Sequence, residues 1–249
     1  MIELENISFS YAKIPVLKNI SLKLESGEMC ALIGKNGCGK TTLSRLASGL
    51  CEPQCGELRL DGKIYKEYSK KSFARRVSFF AQKRPTPNMR VEDYIMYGRY
   101  PYSDISFKLS KADMEAIETA YKMTDTKRFA ERNVASLSGG ERQLVYLAHT
   151  VAQDSDHMIL DEPTAFMDAA NTFVVIDLLS ELSKKGKCIL TVMHDIPIAL
   201  KHFGRILVMS EGEIIYDGTP DGALASKSIE KAFGVSCEKL ENDYVLRKK

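Results

Sequence analysis

The sequence predicts an α/β fold with an antiparallel β segment at its start and a helical subdomain inserted into its middle. Three observations carry this. An apolar run, Met29 to Ile33, leads through glycines into a helical pattern at Lys40 to Ser48, the strand, loop, helix order of an α/β core. Before it, Ile2, Leu4, Ile7 and Phe9, then Ile20, Leu22 and Leu24, are spaced as half-buried strands require. After it, the chain from about Pro85 to Gln153 reads as helical, and short apolar runs resume at Met158 to Leu160, Cys188 to Val192 and Ile206 to Met209.

Between these elements, Asp61-Gly62 separates Leu58-Leu60 from Ile64 as a hairpin turn would. Residues 220–249 read as a short helix and a strand. The expected organisation is one domain over residues 1–249, with an α/β core of 1–84 and 154–249 around a helical subdomain of 85–153.

Composition bounds the function classes. The chain has 249 residues, 44% hydrophobic and 27% charged, the balance of an ordered globular protein. Its 35 basic and 33 acidic residues leave a formal charge of +2, too weak a field to predict nucleic-acid binding, so any phosphate must be held locally. The start lacks the basic and apolar regions of a signal peptide, and no apolar stretch reaches 18 residues. The expectation is a cytoplasmic chain that meets a membrane only through a partner. The six cysteines follow no disulfide spacing and read as free thiols.

The phosphate cradle is local. Gly34-Lys35-Asn36-Gly37-Cys38-Gly39-Lys40-Thr41 fits the P-loop pattern, in which glycines let backbone N–H groups converge on phosphates at a helix N-terminus. Lys40 is expected to reach the β- and γ-phosphates of ATP, and the Thr41 hydroxyl to ligate Mg²⁺, with Thr42 beside them. A P-loop NTPase core follows. Met158-Ile159-Leu160 ends in Asp161 and Glu162, and acids at the end of a buried strand are costly unless they serve a cation or a reaction. Asp161 is expected in the Mg²⁺ shell, and Glu162 beside the water that attacks the γ-phosphate. His194, just past the run Cys188 to Val192, lies where an imidazole could touch that phosphate.

A second phosphate site is also predicted. Leu137-Ser138-Gly139-Gly140-Glu141-Arg142-Gln143 opens a helix with apolar positions at Leu144, Val145, Leu147, Ala148, Val151 and Ala152. Ser138 and Glu141 suit a capping box, but capping does not explain two glycines, which cost helix propensity and make sense if a ligand approaches the bare backbone. One nucleotide is already surrounded by the P-loop. Ser138, Gly139 and Gly140 are therefore expected to serve the nucleotide of a second copy in a two-fold dimer.

Together these segments resemble the ATP-binding-cassette ATPases, whose P-loop, Leu-Ser-Gly-Gly signature, acidic strand and histidine occur in this order. The resemblance implies that Tyr11 stacks on adenine, that Gln82 joins the Mg²⁺ shell and links the core to the helical lobe, and that Asp168 crosses the dimer interface. It also strengthens the role of His194. His157, Phe80-Ala81 and Phe166-Met167 depart from the family's usual residues and bear on packing near Asp161. The segment Val91 to Tyr102, with Gly98-Arg99-Tyr100-Pro101, is similar to the Gly-Arg-x-Pro segment of importer ATPases for iron-siderophores, haem and cobalamin. Segment 162–168 and the Gly218-Thr219-Pro220 ending are similar too. That implies membrane permease subunits as partners, an extracytoplasmic solute-binding protein acting indirectly, and a peripheral place on the cytoplasmic face of the membrane. An ATPase for another solute, and a non-transport cassette protein docking a soluble partner, are the alternatives.

Overall fold

The computed structural model describes residues 1–103, 108–241 and 243–248. They form two compact units, residues 1–67 with 188–249, and residues 68–187.

In the first unit, β1 (Ile2–Tyr11) and β2 (Ile14–Leu24) pair antiparallel, Ile2 opposite Leu24 and Tyr11 opposite Ile14. Ile2, Leu4, Ile7, Ile20, Leu22 and Leu24 are buried, as their spacing predicts. Next come β3 (Met29–Gly34), buried throughout, then α1 (Lys40–Ala47), β4 (Cys55–Leu60) and β5 (Lys63–Ile64). β4 returns beside β1, giving a sheet ordered β2-β1-β4-β5. Asp61 and Gly62 join β4 to β5 with φ of 50° and 77°, both left-handed, the geometry of a two-residue hairpin turn.

The second unit contains α2 (Lys70–Arg76), β6 (Val77–Phe80), α3 (Val91–Met96), α4 (Lys111–Thr124), α5 (Gly139–Ala152), β7 (His157–Asp161) and α6 (Ala169–Lys184). β6 and β7 run parallel, Val77 opposite His157 and Phe80 opposite Leu160. Between them the described residues hold no strand beyond an isolated bridge of Arg90 with Asn133, as the helical reading of that stretch requires.

The Gly98-Arg99-Tyr100-Pro101 segment forms a 3₁₀ turn, Tyr97–Tyr102, and it is a staple. A Cβ on Gly98 would lie 2.5 Å from the His149 carbonyl oxygen. Arg99, 4% exposed, donates from Nε to Asp113 Oδ1 at 2.8 Å and from Nη1 to the carbonyls of Ala152 and Gln153 at 2.9 and 3.1 Å. It thus satisfies carbonyls at the end of α5, which would otherwise lack partners. Asp113 also completes a capping box with Ser110 at the start of α4. Burial alone would raise the Asp113 carboxyl; bonds from Ser110 and Arg99 outweigh it and hold the group below its ordinary value.

The chain then returns to the first unit with β8 (Cys188–Val192), α7 (Ile196–His202), β9 (Arg205–Ser210) and β10 (Glu213–Gly218). β3 lies between β8 and β9, parallel to both, and β10 is antiparallel to β9. Residues 220–248 differ from the expected short helix and strand. They form α8 (Pro220–Ala225), α9 (Ser228–Phe233) and an antiparallel pair, β11 (Val235–Leu240) with β12 (Asp243–Lys248). The helices are separate because Lys227 is left-handed, with φ of 53°. Among the described residues no helix is long and apolar enough to cross a membrane.

Candidate nucleotide site

β3 ends at Gly34, and the P-loop turns from it into α1. Gly37 and Gly39 have φ of 81° and 110°, which favour glycine on backbone grounds. Gly34 is required for packing instead, since a Cβ there would lie 2.4 Å from the Met209 carbonyl oxygen of β9. Gly39 caps α1 without any side-chain hydrogen bond, and no acid lies in the first turn. The first-turn N–H groups, which a helix leaves without internal partners, are therefore not taken up by a cap. Lys40 is 6% exposed and folds back over the loop, donating to the Gly34 carbonyl at 2.7 Å and the Lys35 carbonyl at 3.1 Å. Asn36 is exposed, Cys38 and Thr42 are buried and Thr41 is half-buried. Burial pushes the Cys38 thiol up, so it stays protonated.

Two further predicted residues belong to this unit. Tyr11, 46% exposed at the end of β1, is braced edge-on by Phe9, with ring centroids 5.0 Å apart. That leaves ring area in solvent for a base. His194 is exposed in the turn between β8 and α7, directly after Met193, whose N–H bonds the Leu32 carbonyl of β3 at 3.0 Å.

The other predicted residues lie in the second unit. Asp161 ends β7 and is 1% exposed, while Glu162 is half-buried and turns away with φ of 55°. That left-handed turn is uncommon for a non-glycine residue. Gln82 donates from Nε2 to Glu162 Oε2 at 2.6 Å, so the loop after β6 and the end of β7 meet through the pair the sequence singles out. Asp161 and Gln82 supply hard oxygens of the kind Mg²⁺ takes alongside phosphates and water. Among the described residues no group of three or more His, Cys, Asp or Glu side chains could cage a metal unaided.

Ser138 caps α5 in the predicted box. Its N–H donates to Glu141 Oε2 at 2.9 Å, and the Glu141 N–H donates to Ser138 Oγ at 3.3 Å. The first of these bonds holds the Glu141 carboxyl below its ordinary range. A Cβ on Gly139 would meet nothing within 4 Å, and one on Gly140 only Asn171 Nδ2 at 3.6 Å, so packing does not demand either glycine. Arg142 ties this turn down by donating to Thr86 Oγ1 and the Leu137 carbonyl. Asp168, exposed, caps α6 by accepting from the Asn171 N–H at 2.8 Å, and Phe166 just before it is 91% exposed with φ of 64°.

Two unusual residues fit their surroundings. His157 is buried, its Nδ1 3.2 Å from the Arg76 carbonyl oxygen, and Phe80 is fully buried beneath the Arg84 guanidinium at 4.1 Å. Arg84 itself carries no motif signal and is legible only in three dimensions.

A family model described as ABC transporter matches residues 17–165. The chain is similar to the ferric enterobactin transport ATP-binding protein FepC of Escherichia coli (strain K12), with 35% identity over 94% of this chain and 87% of that protein. It is 33% identical to the petrobactin import ATP-binding protein FpuD of Bacillus anthracis, over 95% and 88% of the two chains. The manganese transport system ATP-binding protein MntB of Bacillus subtilis (strain 168) is also 33% identical, over 94% and 92%. In fold it resembles the dimeric cassette MJ0796, with a TM-score of 0.77, 24% identity and 88% and 99% of the chains covered.

Proposed function

The chain belongs to the ABC transporter family, and from that premise we propose that it is the ATP-hydrolysing subunit of an importer that carries an iron-siderophore, haem or cobalamin-type chelate through a membrane permease. The carrying observation is the pair of unlike helix N-termini. One, on α1, has no side-chain cap, and the other, on α5, is self-capped with two glycines that packing does not require.

In this reading the backbone N–H groups of residues 34–42, with Gly34, Asn36, Gly37, Cys38 and Gly39 shaping them, cradle the phosphates of ATP. Lys40 gives up its loop carbonyls for the β- and γ-phosphates. Tyr11 stacks on adenine. Thr41, Gln82 and Asp161 would hold Mg²⁺, which when bound offsets the phosphate charge. Glu162 polarises the attacking water, Gln82 restrains its carboxylate and His194 contacts the γ-phosphate. Because Ser138 Oγ accepts from the Glu141 N–H, its hydroxyl proton remains for donation to a γ-phosphate held by the second copy, alongside the N–H groups of Gly139 and Gly140. Asp168 lies at that interface in a homodimer.

The working division is a helical subdomain of 85–153 within a core of 1–84 and 154–249. The permease places the dimer on the cytoplasmic face of the membrane, and a solute-binding protein acts indirectly outside. Kinship with FepC and FpuD, whose names specify ferric enterobactin and petrobactin, favours the iron-chelate class, and kinship with MntB favours manganese as the second reading.

Uptake of labelled ferric siderophore, cobalamin and manganese, in cells carrying either this chain or Glu162→Gln, tests the assignment. Loss of the iron signal alone is expected. Loss of only cobalamin uptake moves the solute within the proposed class, loss of only manganese uptake selects the second reading, and no change in any would refute the import role.

A further inference from the structure

Residues 81–85, which carry Gln82 away from β6, form neither helix nor strand. Arg84 anchors them. Its Nη2 donates to the Phe79 carbonyl at 3.2 Å and its Nε to the Ala81 carbonyl at 3.3 Å, gripping the backbone just before Gln82. The guanidinium lies 4.1 Å from the Phe80 ring centroid and 5.5 Å from that of Tyr146 on α5, with Tyr94 of α3 close by. Tyr94 in turn stacks on His149 of α5 at 4.6 Å and meets Tyr146 at 5.5 Å. One cation thus joins the Gln82 loop to α5, and through Tyr146 and Tyr94 to α3, by backbone bonds that need its planar fork and a ring contact that needs its charge.

Gln82 transmits whatever this cage imposes, since its amide holds the Glu162 carboxylate at 2.6 Å. We propose that Arg84 is a positioning residue for ATP hydrolysis, holding Gln82, and through it Glu162, in register with α5, whose first turn carries Ser138. The proposal rests on the ATPase reading above. Small displacements of a reacting group are expensive, with about 1 Å worth up to about a hundredfold in rate. The cost should fall on turnover, because Arg84 touches none of the residues proposed to grip the nucleotide.

The test measures steady-state turnover and the affinity for a fluorescent ATP analogue on the purified full chain, well below each variant's melting temperature. Arg84→Met is expected to lower kcat about tenfold to a hundredfold while ATP affinity stays within about twofold. Arg84→Lys, which keeps the charge over the rings but loses the fork, should recover part of the loss. Should Arg84→Met fail to fold, Arg84→Lys and Tyr146→Leu, which removes the α5 ring the guanidinium faces, carry the test, each with a smaller drop in kcat and unchanged affinity. Wild-type kcat in these variants, or kcat and affinity falling in step, would overturn the inference. Wild-type turnover no higher than that of Glu162→Gln would instead overturn the ATPase reading, and this inference with it.

Discussion

Helices α1 and α5 both begin in glycine-rich sequence, yet their first turns are finished in opposite ways. α5 bonds its own end through Ser138 and Glu141, whereas α1 starts at a left-handed Gly39 with no side-chain cap. A helix N-terminus presents four N–H groups without internal partners. α1 leaves its own without a side-chain cap, and Lys40 folds onto the loop carbonyls. α5 closes its own end, so the proposed role leaves it only what its cap does not use, the Ser138 hydroxyl proton and bare glycine backbone. On the proposed function the two ends divide the work, one organised around a ligand and the other presented to it.

The largest effect that could break this comparison is on binding. Lys40→Ala should weaken ATP affinity by about a hundredfold while leaving α5 intact. Equilibrium titration showing unchanged affinity would mean that α1 is not the primary grip.

Acid should act on the α5 side. Burial lowers the His149 pKa from 6.5 to about 4, only partly offset by the Tyr94 carbonyl at its Nδ1. The folded group then binds fewer protons than the unfolded chain between these values. Its contribution, up to about 3 kcal/mol, is full above pH 6.5 and is lost as pH falls toward 4. Thermal melts across this range should show the loss, and His149→Met should flatten it.

A smaller effect sharpens the contrast by its sign. At Gly39, φ is 110° and an added Cβ would lie 2.8 Å from Leu17 Cδ2, so Gly39→Ala should destabilise the fold by about 2 kcal/mol. Gly139 is open on every side, and Gly139→Ala should stabilise the fold by about 0.5–1 kcal/mol through helix propensity. Turnover should nevertheless fall in Gly139→Ala if the backbone there must approach a nucleotide. Denaturant melts paired with ATPase rates separate the two, and unimpaired turnover would leave Gly139 without a ligand role.

What the sequence determined by itself is whatever its residues accomplish with near neighbours. The period of β1 and β2, the Asp61-Gly62 turn, the strand, loop, helix order around the P-loop and the Ser138–Glu141 box all depend on contacts a few residues apart, and all stand as read. Gln82 and Glu162 could each be named from their motifs. Their bond joins positions 80 residues apart and emerged only with the fold. Tertiary structure likewise decided that Gly34 serves β9 packing, that Arg99 clamps the ends of two helices and that Arg84 grips the Gln82 loop. It also made Val235–Leu240 and Asp243–Lys248 a strand pair, with β12 packed against α7 and Lys201 reaching Asp243. The physical reason is common to all of these. A capping residue or a turn glycine gains its energy from backbone beside it in the chain, while a buried arginine or a packing glycine gains it from groups that only the folded chain brings within reach.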